Sequence, residues 1–201
     1  MLLFIHGAGK ARRGIILPYK DHSRKMSQLI VISAVGTDRT GVVEDLSKVI
    51  LACDGNIEES RMTTLGAEFA MLLLVSGNWA TLNKLEQGLE KLGKDKDLSI
   101  SIRKTDSKMA SGDRMPYAVD IVSLDQQGIV FNLASFFAAR DIEIADVATR
   151  KYAAAHTGSP MFAVQMAINV PSEVHIAQLR EEFLEICDRL NLDAILEPVK
   201  S

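Results

Sequence analysis

Cysteine is scarce in this chain. Cys53 and Cys187 are the only two in 201 residues, and no CxxC pair joins them. That excludes a disulfide framework and fits a reducing cytoplasm. Both thiols read as small apolar fillers near helix ends. Aromatic residues make up only 5% of the chain, and the strand-like segments carry aliphatics instead. RNA recognition by stacking bases on a sheet needs the aromatics that are missing. No apolar run approaches the ~20 residues a membrane helix requires.

Catalytic signatures are absent as well. His6, His22, His156 and His175 show no metal-ligand spacing, and no Walker loop, GxSxG or HExxH occurs. Glu58 and Glu59 are adjacent carboxylates in a strand-like segment. Alternation there points them to opposite faces, which makes a poor acid–base couple. These absences argue against an enzyme.

The net charge is -3, unevenly spread. Residues 1–25 carry +5 and the remainder -8. An acidic body is a poor match for a phosphate backbone, and each expected helix is followed by a strand, so no helix-turn-helix arises. The basic segment 1–26 has no long apolar core and no cleavage site, so it is a poor signal peptide. It is expected to be a disordered or non-native leader, because Met26-Ser27 opens the first folding unit directly.

The chain repeats itself. VGTDRTGVVEDLSKVILACDGNIEESRMT at 35–63 returns 87 positions later as VSLDQQGIVFNLASFFAARDIEIADVATR. Asp38 matches Asp125, Gly41 matches Gly128, Leu46 matches Leu133 and Ile57 matches Ile144. A repeat of this kind is one folding unit used twice.

Within the first copy, Leu29–Val35 reads as a strand and Thr37–Gly41 as a turn. The residues from Gly41 to about Ala52 form a one-faced helix. Ile57–Thr64 and Ala67–Val75 form a hairpin across Leu65-Gly66. Asn78 caps a second helix with Leu82, Leu85, Leu89 and Leu92 on one face, and Leu98–Arg103 closes the unit. The second copy repeats this order, with Ser172 as its helix cap and a longer hairpin loop at Ala153–Ser159. The expected boundaries are 27–104 for the first unit, 105–115 for a polar linker and 116–201 for the second.

The order βαββαβ predicts an α+β fold of two ferredoxin-like units in tandem. Each is an antiparallel sheet with both helices on one face. LIVIS and AMLLLV are apolar on both faces, so the face away from the helices is expected to meet another surface.

Asp38-Arg39-Thr40-Gly41 is the sharpest candidate site. A glycine there admits close backbone approach, and a helix N-terminus suits a carboxylate. Asn56 starts the next strand, which in a ferredoxin-like sheet is expected to neighbour the first, so Asn56 is expected to approach the same loop with an amide that both donates and accepts. On local residues alone, Asp38 as a cap, Gly41 as a turn residue and a solvated Arg39 is the stronger reading. In the second copy, Gln126-Gln127 replaces Arg39-Thr40 and Glu143 replaces Asn56. A carboxylate at Glu143 is expected to repel a ligand carboxylate, leaving Asp125, Gly128 and Glu143 as a lost or altered second site.

The pattern GTDRTGVV, LSKVI, GNIEESRM resembles the ACT domain, a small-molecule sensing module of amino-acid metabolism. The tandem arrangement over about 27–199 resembles the family of glycine cleavage repressors. The resemblance implies a non-enzymatic cytoplasmic regulator that needs no cofactor. It would bind a small amino acid, glycine first, through Asp38, Arg39, Thr40, Gly41 and Asn56, at an interface between units. The implied partner is a DNA-binding activator protein rather than nucleic acid or membrane. The alternative is a regulatory subunit of a metabolic enzyme, and a homodimer is one arrangement the resemblance allows.

Overall fold

The computed structural model describes residues 28–107 and 112–199. The expected leader and the middle of the expected linker lie outside them. The described residues divide into two compact units, 28–107 and 112–199.

Unit 1 comprises β1 (Gln28–Thr37), α1 (Val42–Ala52), β2 (Asn56–Leu65), β3 (Glu68–Gly77), α2 (Trp79–Lys96) and β4 (Leu98–Thr105). Unit 2 comprises β5 (Arg114–Leu124), α3 (Ile129–Ala138), β6 (Glu143–Ala153), β7 (Pro160–Pro171), α4 (Ile176–Arg189) and β8 (Asp193–Pro198). Each unit forms one four-stranded antiparallel sheet, ordered β2-β3-β1-β4 and β6-β7-β5-β8.

Alternation builds the first core. Ile30, Ile32 and Ala34 of β1 and Phe69, Met71, Leu73 and Val75 of β3 are buried with Val42, Leu46 and Ile50 of α1. Leu82, Leu85, Leu89 and Leu92 of α2 complete it. The second core is built in the same way around Leu133, Phe137, Phe183 and Ile168. The register slip between the copies is absorbed where the sequence places it. Gly36 faces Phe69 across one sheet, Ser123 faces Phe162 across the other, and the added residues form a loop between β6 and β7.

The structure corrects three expectations. First, β2 does not neighbour β1. The tight hairpin pairs β2 with β3, and β3, apolar throughout its middle, takes the central place beside β1. The polar β2, exposed along its whole length, is left at the edge. Second, Ser172 does not cap α4. A turn from Pro171 to Val174 intervenes, and His175 holds the N-cap position without a side-chain bond. Third, the strands reach into the polar stretch 105–115, because Thr105 pairs with Leu29, and Arg114 and Met115 pair with Pro171 and Val170. Ladder bonding outweighs composition there.

The sheet face away from the helices differs between units. In unit 1 it carries Val31, Val35, Leu72 and Leu74, with Leu72 53% and Val35 44% exposed. In unit 2 the same face carries Asp120 and Gln165, hydrogen-bonded at 2.9 Å.

Candidate functional site

The loop after β1 is tied to the β2–β3 hairpin by the Asp38 amide, which donates to Ala67 O at 2.9 Å. Gly41 then holds the N-cap of α1 at φ 91°, and no side chain caps the helix. A Cβ at Gly41 would meet nothing within 4 Å, so the glycine answers to backbone angle rather than to crowding. Asp38 is therefore not a cap, contrary to the turn-chemistry reading.

Arg39 is not a solvated cation either. Its guanidinium turns back onto Asp45 in the first turn of α1, 2.7 Å away. That bond holds the Asp45 carboxyl below its usual range. Since α1 also carries Glu44 in its first turn, Arg39 offsets part of an acidic helix start. Among the described residues no side chain bonds the Asp38 carboxylate, and Thr40 is exposed.

Asn56 lies elsewhere. It pairs with Ser76 at the end of β3, in the row of Leu29, whereas the loop follows Thr37 at the other end of β1. At strand spacing, the run along β1 from Leu29 to Asp38 covers roughly 30 Å. Loop and Asn56 of one unit cannot grip one small ligand. The misplacement followed from the wrong strand neighbour.

Asn56 is instead part of a cluster that sequence reading missed. Its amide nitrogen donates to Glu58 Oε1 at 2.9 Å, and Ser76 Oγ donates to the same oxygen at 2.5 Å. The two bonds, Ser76 first, hold the Glu58 carboxyl below its usual range. A β-bulge between Ile57 and Glu59 breaks the strand alternation at Glu58. Period-two reasoning about Glu58 and Glu59 therefore fails, and no residue pattern announced the bulge.

The second loop shares the backbone of the first. The Asp125 amide donates to Pro160 O at 2.9 Å, and Gly128 caps α3 at φ 86°. Its side chains are held differently. Asp125 is ion-paired with Lys151 of β6, and Gln126 donates to Leu190 O at 2.8 Å. Lys151 was legible only by comparison, since its counterpart in the first copy is Thr64. Glu143 accepts from Asn169 at 3.1 Å, so a carboxylate–amide pair stands at the start of β6 as it does at the start of β2. Glu143 therefore brings no charge contrast between the units, because Glu58 supplies a carboxylate to unit 1.

Two depressions on unit 2 include no residue of its Asp125–Gly128 loop. One is lined by Arg140, His175 and Glu182, and the other by Asp120, Arg150 and Gln165. Arg140 is fully engaged, bonding Glu182 at 2.6 Å and lying 3.8 Å over the Phe136 ring. Burial pushes the Cys187 thiol up to about 11, so it is not a nucleophile at neutral pH. No helix among the described residues is long and apolar enough to cross a membrane.

Two βαββαβ units, each with a left-handed glycine opening its first helix, define a tandem ferredoxin-like fold. The family model of the ACT domain matches residues 28–103, and the chain belongs to the ACT-domain family. It is 26% identical over 170 residues to the glycine cleavage system transcriptional repressor of Escherichia coli, covering 85% of this chain and 90% of that protein. A UPF0237 protein of Methanocaldococcus jannaschii is 33% identical over 79 residues, 38% of this chain and 88% of its own length. Among solved structures, a putative glycine cleavage system transcriptional repressor superposes with TM-score 0.67 at 28% identity, over 88% of this chain and 99% of its own. A protein from Galdieria sulphuraria superposes with TM-score 0.71 at 26% identity, covering 87% and 99%.

Proposed function

We propose that this chain is a non-enzymatic, amino-acid-responsive repressor of glycine cleavage genes. It acts in the cytoplasm by binding a DNA-binding activator protein, and glycine relieves the repression. The observation that carries this reading is the similarity to the Escherichia coli repressor across both ACT units rather than one. The acidic body supports action through a protein rather than directly on DNA.

The loop Asp38–Gly41 and Asn56 serve the ligand from two copies of the unit, because one sheet separates them. A homodimer in which the loop of one chain meets Asn56 of another satisfies that geometry. The ligand then shifts association only by binding one arrangement better than the other. Asp125, Gly128 and Glu143 form the corresponding second set, with Lys151 occupying the Asp125 carboxylate.

Calorimetric titration with glycine, then serine and alanine, tests the sensor. Saturable heat with glycine that is lost in Asn56→Ala is the expected result; no heat with any amino acid overturns it. Pull-down from cell extract tests the output: a transcriptional activator is expected, and capture of a biosynthetic enzyme would instead mark a regulatory subunit.

A further inference from the structure

On unit 1, the sheet face away from the helices is apolar and open. Leu72 is 53% and Val35 44% exposed, beside the half-buried Val31 and Leu74. A contiguous apolar patch of that kind marks a contact surface. The charges around it follow a pattern. One row across the four strands reads Glu59, Leu74, Val31, Arg103, from edge strand β2 to edge strand β4. The row is negative at one end, positive at the other and apolar between. Both charged residues are exposed. Glu59 also lies 3.7 Å from Arg61 of its own strand, but that pair is exposed and screened by water, so it contributes little.

We propose that this face is the interface between two copies of the chain, related by a two-fold axis parallel to the strands. Such an axis stacks β2 of one copy over β4 of the other, and β3 over β1. The row then meets its own reverse. Glu59 faces Arg103 of the second copy, Leu74 faces Val31, and each pair occurs twice. Sizes match as well. Leu72 shares a row with Ser33, and Val35 shares one with Ala70, so each large side chain comes over the smaller member of its own row. Unit 2 lacks both features. Its corresponding row reads Asp146, Ala167, Ala118, Glu197, acidic at both ends with alanines between. Reversed on itself, that row sets carboxylate against carboxylate across little apolar area. The contact therefore belongs to the unit 1 face. It keeps like ends of the two sheets together, so it is separate from the contact proposed above between the Asp38 loop and Asn56, and it needs no ligand.

Sedimentation equilibrium of the full chain, with no amino acid added, tests the interface. A dimer is expected. Arg103→Glu acts at both copies of the pair and is expected to raise the dissociation constant about tenfold or more. Glu59→Arg combined with Arg103→Glu reverses both ends of the row. That double variant is expected to return to within about threefold of the unaltered chain. Leu72 is already exposed, so Leu72→Glu is expected to keep the circular dichroism of the unaltered chain and to lose the dimer. A chain that stays monomeric overturns the proposal. So does a dimer that neither Arg103→Glu nor Leu72→Glu weakens, since it assembles through another surface. A double reversal that restores nothing overturns the facing of Glu59 with Arg103, and with it the two-fold axis along the strands. None of these readouts involves glycine, so the sensor reading stands or falls separately.

Discussion

Gly41 and Gly128 hold the same backbone angle in the two units, φ 91° and φ 86°. Both were visible in the repeat, as was the turn that needs them. What the sequence did not show is that the angle alone demands glycine, since the space beside Gly41 is open. Gly41→Ala is therefore expected to cost about 1 kcal/mol, the strain of a left-handed alanine and nothing from crowding. Urea unfolding measures it. A loss several times larger would mean that a neighbour fills the space. Side chains in the same loop were less legible. Arg39 reads as a surface cation, yet it is fixed by Asp45, six residues on, once the helix forms.

Elements of the fold were read well where the signal is local. The hairpin turn, the apolar stripe of α2 and the cap at Asn78 all stand where residue type and period put them. Asn78 Oδ1 accepts from the Thr81 amide at 3.0 Å and satisfies one of the helix's open donors. Ser172 carries the same expectation from its residue type, but α4 begins at Ile176. The two serve as a matched pair. Asn78→Ala is expected to destabilise by about 1 kcal/mol and Ser172→Ala to change little. Thermal unfolding of both variants checks this, and equal losses would contradict the helix start at Ile176. The order of strands was not legible locally, because it depends on which hairpin partner has the more apolar middle. Neither was the bulge, which adds a residue to β2 without leaving a Gly or Pro behind. Both are set by strand pairing, so residue pattern alone neither separates Asn56 from the Asp38 loop nor brings Glu58 beside Asn56 and Ser76.

At the scale of the whole molecule, the repeat predicts that equivalent positions carry equivalent energy. Each unit encloses its own core, and no residue is shared between the two clusters. Leu46 is 0% exposed and Leu133 1% exposed, each on the first helix of its unit and each facing its own sheet. Truncating either removes its burial and leaves a cavity, so Leu46→Ala and Leu133→Ala are each expected to cost about 2–5 kcal/mol. The second site has the more rigid surroundings, since Phe136, Phe137 and Phe183 pack in that core with centroids 5.3 to 5.6 Å apart, edge-on, tilted and stacked in turn. Rigid rings collapse poorly into a void, so Leu133→Ala should fall at the upper end of the range and Leu46→Ala lower. Native-state hydrogen exchange reads both at once. Loss of amide protection in β1 and β3 for Leu46→Ala, and in β5 and β7 for Leu133→Ala, is the pattern that two self-contained cores require. Loss centred on the unit that carries no substitution would show that the cores are not self-contained.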